Sequence, residues 1–317
     1  VMAIFQSRIT QSVITFIIVL VIALWLFRDN IVAIYPFQKD NKQLEIIKDE
    51  DITSYLEKID GFSLKEYSNE DLLLHYIKAE TYYNFKDSPV LLLNLKVTQY
   101  DETGQENHIL KSNRANILDS GEILFSGEVN ILSRGVYHEI ETESLVVDSK
   151  TKQISSDKDV IYSGENAKIF AQGMWINNAA ETMLLEGDIR IEQESGPIIN
   201  TKDLNINLAD GEKRYQTKEK STYLSKDNTI HSEQGMDLDM KANLTRLLGK
   251  VEILQKSGTK ILSHDLVVDQ SHDGEVYRSN KPTNYQSETL NIKSQGMYYN
   301  AVSQKIELMG GVVGRYE

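Results

Sequence analysis

The sequence predicts an all-β fold with one membrane helix at its start. Three observations carry this: a unit of about sixty residues that recurs four times, strict alternation within the strands that close each copy, and one long apolar run near the N-terminus. The closing strands centre on Gly127, Gly187, Gly249 and Gly310, which lie 60, 62 and 61 residues apart. Fourteen residues before each of the last three sits another glycine within a shared tripeptide: Gln172-Gly173-Met174, Gln234-Gly235-Met236 and Gln295-Gly296-Met297. Tyr162, Tyr223 and Tyr285 keep the same spacing, and Leu145-Val146-Val147-Asp148 returns as Leu266-Val267-Val268-Asp269. Such a register predicts one elongated domain of stacked β units, each burying its apolar face against the next.

In chain order, the first element is the apolar run. Val13 to Phe27 is apolar apart from Thr15, and extending back to Ile9 gives nineteen positions, roughly 28 Å of helix at ~1.5 Å per residue. A cleaved signal peptide is the rival reading. Against it, Arg28-Asp29-Asn30 follows with no Ala-x-Ala site, and then a second apolar patch, Ile31 to Phe37. Residues 1–30 are therefore expected to be a cytoplasmic stub and membrane span. Arg8 precedes the span and Arg28, Lys39, Lys42 and Lys48 follow it, so charge alone does not set its orientation. Residues 31–60 are expected to form a polar tether, with Leu44, Ile47, Ile52, Tyr55, Leu56 and Ile59 at loosely helical spacing.

From Gly61 the chain reads as strands punctuated by turns such as Asp101-Glu102-Thr103-Gly104, Asp119-Ser120-Gly121, Asp210-Gly211 and Asp273-Gly274. Between Leu91 and Tyr100, Leu91, Leu93, Leu95 and Val97 are expected on one face. In the first repeat Ile123, Phe125, Val129 and Ile131 point inward against Glu122, Ser126, Glu128 and Asn130. The second sets Met183, Leu185, Ile189 and Ile191 against Glu186, Asp188 and Arg190. The third sets Leu247, Val251 and Ile253 against Lys250 and Glu252, and the fourth Ile306, Leu308 and Val312 against Glu307 and Arg315. The central glycine lies on the apolar face in every copy. It either bends the strand or leaves space between two walls.

A net charge of −13 excludes a nucleic-acid partner, and the absence of cysteine excludes disulfides and thiolate metal sites. The histidines His75, His108, His138, His231, His264 and His272 are scattered without metal-ligand spacing. No phosphate-binding G-x-x-x-x-G-K-[ST] loop and no G-x-S-x-G elbow occurs. Neither an enzymatic activity nor a cofactor is expected.

Gly61-Phe62-Ser63-Leu64, Tyr67, Tyr76-Ile77-Lys78-Ala79-Glu80, Phe85-Lys86-Asp87-Ser88, Gln99 to Gly104, Asn113-Arg114-Ala115-Asn116-Ile117, Phe125 to Val129 and Gln172 to Ile189 follow the single span in order. This series resembles the LptC family of lipopolysaccharide export over about residues 1–192, and residues 193–317 resemble the related jellyroll of LptA. The resemblance implies an elongated open β-jellyroll, with residues 61–192 as the LptC-like part and 193–317 as its continuation by two repeats. It also implies an inner-membrane anchor and a β domain in the periplasm. Lipopolysaccharide would pass from the transporter subunits LptB, LptF and LptG, through a groove lined by the inward residues above, to an LptA-like or LptD-like jellyroll. The edge at Phe62 and Leu64 would meet the transporter, and the edge at Leu308 and Val312 the downstream partner. The other reading is a membrane-anchored structural or carbohydrate-active β-solenoid, since sixty residues also make three coils of a parallel β-helix. No sub-period near twenty supports it.

Overall fold

A computed structural model describes residues 52, 55–86, 89–134, 138–148, 150–151, 153–177, 182–207, 214–272 and 274–316. The expected membrane span and most of the tether lie outside these residues, as do the Asp210-Gly211 turn and Asp273. No helix among the described residues is long and apolar enough to cross a membrane. The described chain is all-β, and its strand pairings are antiparallel. A parallel β-helix is therefore not what it forms.

Two compact units make up the chain. In the first, six long strands form a meander: β1 (Glu57–Tyr67), β2 (Leu73–Asn84), β3 (Val90–Tyr100), β4 (Glu106–Ile117), β5 (Glu122–Ser133) and β6 (His138–Asp148). Strand β1 starts four residues before Gly61, so the end of the expected tether is already sheet. Three short strands complete this unit: β7 (Gln153–Ser156), β8 (Val160–Gly164) and β10 (Gly173–Asn177), with β9 (Ala167–Ala171) belonging to the second unit. The turns follow from their residues. Asp101, for instance, accepts hydrogen bonds from the Thr103 and Gln105 amides at 2.8 and 3.0 Å, and Gly104 supplies the left-handed φ of +80°.

The second unit continues with β11 (Thr182–Gln193), β12 (Ile198–Asn207), β13 (Arg214–Thr217), β14 (Ser221–Leu224), β15 (Asn228–Ser232), β16 (Met236–Asp239), β17 (Leu244–Gln255) and β18 (Lys260–His272). It ends with β19 (Gly274–Ser279), β20 (Thr283–Gln286), β21 (Leu290–Ser294), β22 (Gly296–Asn300), β23 (Lys305–Met309) and β24 (Val313–Tyr316). Long strands here serve two walls. The start of β17 pairs with β16 and its end with β15; likewise β12 pairs with β14 and then β13, and β18 with β20 and then β19. Each long strand therefore bends between a first wall (β14, β15, β20) and a second (β13, β16, β19).

The repeated glycine makes the bend. Between Leu247 and Lys250 the glycine strand carries one more residue than its partner, which runs from Leu266 to His264, and the same bulge separates Leu185 from Asp188 and Ser126 from Val129. Gly249 has φ +74°, and its amide donates to Asp265 Oδ1 at 2.9 Å; Gly187 and Asp203 repeat this at 2.9 Å. A Cβ on Gly249 would sit 2.5 Å from Gln234 Cγ, and one on Gly187 2.3 Å from Gln172 Oε1. The glutamine of each tripeptide thus packs on the bulge that closes its own repeat, which accounts for their fixed separation. Of the two readings of the glycine, the bend holds, since the next side chain already occupies the space. Buried hydroxyl pairs hold the corners of the short strands: Thr142 with Ser156 at 3.0 Å, Thr201 with Ser221 at 2.9 Å and Ser263 with Thr283 at 2.9 Å.

The fourth copy departs from expectation. Instead of one strand centred on Gly310, it forms β23 and β24, because consecutive left-handed residues Gly310 and Gly311 break it. Val312 lies in the break and is 51% exposed.

Candidate functional site

The expected groove residues of the first three repeats are inward and buried. Ile123, Phe125, Val129 and Ile131 in the first unit, and Met183, Leu185, Ile189, Ile191, Leu247, Val251 and Ile253 in the second, are at most 3% exposed. The extra residue at each glycine preserves their alternation through the bend. Leu95 is likewise buried, but Leu93 is not part of the same row. Asn94 adopts a left-handed φ of +50°, so the inward position switches to Leu92, which lies in register with Ala115, Phe125 and Leu145. Leu93 packs instead against the Phe85 and Leu91 cluster, as do Tyr83 and Ile52. In the last copy Ile306 and Leu308 are half-buried.

In the second unit the inner face of the first wall is an apolar row running across the strands: Ile191, Ile199, Tyr223, Ile230, Ile253 and Ile261 face one another in register. All are buried. The bends form a spine along one side of this interior. On the other side, at the hairpin turns, side chains join the walls. Tyr223 on the first wall donates to Glu275 Oε1 on the second at 2.6 Å, and Tyr277 donates to the other oxygen of the same carboxylate. Asn228 Nδ2 donates to the Tyr277 hydroxyl at 3.1 Å, and Gln270 Nε2 to Ser195 Oγ at 3.2 Å. Burial, with the Glu275 carboxylate beside them, raises both phenol pKa values far above the ordinary range, so both hydroxyls stay protonated as donors. Sequence reasoning missed this clasp: its partners are some fifty positions apart, and only Tyr223 belonged to a recognised repeat.

Two histidines of the first unit, His75 and His108, are buried, and a third, His138, is half-buried. His75 is buried and its Nδ1 lies 2.9 Å from Glu66 Oε2. Burial pushes its pKa down, opposed by that carboxylate. His108 is fully buried, and desolvation, aided by the nearby His138, lowers its pKa to about 3, so it is a neutral imidazole. His138 stacks on Tyr162 with centroids 6.2 Å apart.

At the N-terminal edge the Phe62 side chain is buried and stacked on Tyr82 at 5.2 Å, and Leu64 is half-buried. What β1 presents there is main chain, since its only described partner is β2. At the C-terminal edge β23 pairs with β22 and β24 with β21, and Met309, Val312, Val313 and Tyr316 are exposed.

In comparison with known protein families the chain matches the family described as lipopolysaccharide-assembly, LptC-related, over residues 16–194 and 229–317. The second segment falls in the stretch that resembled LptA. No curated protein matches the chain.

Proposed function

The chain belongs to the LptC-related family of lipopolysaccharide-assembly proteins, and from that premise we propose that it is a periplasmic conduit passing lipopolysaccharide along its apolar interior toward the outer membrane. The family assigns it a role in lipopolysaccharide transport. The observation that supports the finer reading is the set of in-register apolar rows running across the strands, the direction in which a lipid would advance from one strand to the next. A lipid with several acyl chains needs such a surface, because each methylene kept from water is worth ~0.8 kcal/mol. In this reading residues 9–27 anchor the protein in the inner membrane beside LptB, LptF and LptG. The β1 edge meets the transporter, and the exposed apolar edge of β23 and β24 receives an LptA-like or LptD-like jellyroll by strand addition.

Photo-crosslinkers at Phe125, Leu185, Ile189 and Val251 test the path. They are expected to label lipopolysaccharide in cells, whereas Glu128, Asp188 and Glu252, on the opposite face, are not. Equal labelling of the two sets would rule out the interior as the route.

A further inference from the structure

The inner face of the first unit carries a second row beside its apolar one. Leu64, Ile77, Val97, Leu110, Ile131 and Ile140 lie in register across β1 to β6. Two residues nearer the turns, and so on the same face, Glu66, His75, Gln99, His108, Ser133 and His138 lie in register across the same strands. With strands ~4.8 Å apart, this polar row extends about 24 Å parallel to the apolar one. We propose that it is a hydrogen-bonding track for the uncharged polar linkage of an acylated lipid, meaning its ester, amide and hydroxyl groups, while the acyl chains follow the apolar row. The proposal rests on the conduit reading above and assigns the part of the substrate that this row contacts.

Two further observations point to a ligand. Ser133 is fully buried and its Oγ has no hydrogen-bond partner; the buried Oε1 of Gln99 has none either. A folded interior gains nothing from such groups, because burial strips their water without replacing it. The second unit repeats the pattern at the same ends of its strands, where the buried Gln193 Oε1 and Asn228 Oδ1 also lack partners. The chemistry of the row selects the linkage over a phosphate. It contains no lysine or arginine, its one carboxylate is at the end beside His75, and the buried His108 imidazole is neutral. Recognition of phosphate favours charged donors. Neutral imidazole, amide and hydroxyl groups can both donate to carbonyls and accept from hydroxyls.

The test uses the full chain in an alkyl-glycoside detergent and three probes: an N-acylated hexosamine lipid without phosphate, its phosphorylated form, and an alkyl-chain fluorophore lacking carbonyl and hydroxyl groups. Wild type is expected to bind the two glycolipids equally. The double variant Gln99→Leu, Ser133→Ala is expected to bind both about tenfold more weakly, as for two lost hydrogen bonds, with unchanged binding of the alkyl probe. Its thermal stability should be equal or higher, and Ser133→Thr, which keeps the hydroxyl, should retain affinity. Undiminished glycolipid binding by the double variant, or an equal loss for the alkyl probe, would overturn the track. Dependence of wild-type binding on the phosphate would overturn the choice of linkage. A wild-type chain that bound none of the probes would overturn the conduit reading itself, and this proposal with it.

Discussion

Replacing Gly249 with alanine tests the account of the repeat most directly. At φ +74° an L-residue costs about 1–2 kcal/mol relative to glycine. The new Cβ would also meet Gln234 Cγ at 2.5 Å, Cδ at 2.7 Å and Cβ at 2.9 Å. Gln234 cannot simply withdraw, because its amide donates to the Leu248 carbonyl at 3.2 Å and Leu248 returns a bond to the Gly235 carbonyl at 2.9 Å. Overpacking of this kind adds about 1–3 kcal/mol, giving a total of about 2–5 kcal/mol. For a unit of this size that lowers the melting temperature by roughly 5–20 °C. Gly104→Ala is the control: its φ is +80°, but nothing lies within 4 Å of the added Cβ, so it should incur the backbone cost alone. Urea and thermal unfolding of the full chain, followed by circular dichroism, would measure both. Gln234→Ala combined with Gly249→Ala should recover part of the loss, since two of the three close atoms are then gone. The reasoning fails if Gly249→Ala is no worse than Gly104→Ala, or if the two changes at 234 and 249 are simply additive.

Other outcomes follow from the same geometry. His108, with its pKa lowered to about 3, takes up no proton in the folded chain between that value and 6.5, whereas the unfolded chain does. Its stabilising contribution is complete above pH ~6.5 and declines on acidification by about 1.4 kcal/mol per pH unit, so His108→Gln should flatten the stability curve between pH 6.5 and 4.5; parallel curves would contradict this. Changing Tyr223 and Tyr277 together to phenylalanine removes both donors from Glu275, each worth about 1.5–3 kcal/mol to a charged acceptor, and should lengthen the distance between spin labels placed beside Ser195 and Gln270. An unchanged distance would show that packing alone holds the walls. Under the conduit reading proposed above, removing residues 300–317, or placing proline at Leu308, should abolish capture of a downstream jellyroll in a pull-down while leaving the membrane complex intact, and continued capture would refute the assignment of this edge.

The legible part of this fold was the part encoded locally. In β5, β11 and β17 the extra residue at the glycine keeps odd positions inward along the whole strand, so simple alternation identified Phe125, Leu185, Ile189, Leu247 and Val251 correctly as inward residues. Strand β3 turns the same corner without an extra residue, through left-handed Asn94, so alternation carried past it put Leu93 on the wrong face. Asparagine adopts that conformation more readily than most residues, and this was the one available signal. The two strands of the last copy were hidden because Gly310-Gly311 reads equally as a bend or a stop. The polar row was invisible for a different reason. His75, Gln99, His108, Ser133 and His138 share no period, and only strand register, set by the turns between them, brings them into line.

The same geometry decides where the second unit can open. At the spine, β11, β12, β17 and β18 pass from wall to wall as continuous chain, so the walls cannot part there. At the opposite side the Tyr223 bond to Glu275, the Ser225 and Asn228 bonds to Tyr277 and the Ser195–Gln270 bond cross between them. These contacts break when the walls part, and separating the walls also wets the inner rows. Exposing the six residues from Ile191 to Ile261 costs on the order of 10 kcal/mol at ~1.5–3 kcal/mol for each large apolar side chain. An open, water-filled interior would then be populated less than about once in a million. An acyl chain of about a dozen methylenes in that space offsets a similar amount, at ~0.8 kcal/mol each. Under the conduit reading, opening and loading are therefore one event, with the lipid acting as the wedge. The distance between spin labels beside Ser195 and Gln270 should accordingly widen in the otherwise unmodified chain on adding an acylated lipid, and stay short on adding its deacylated sugar.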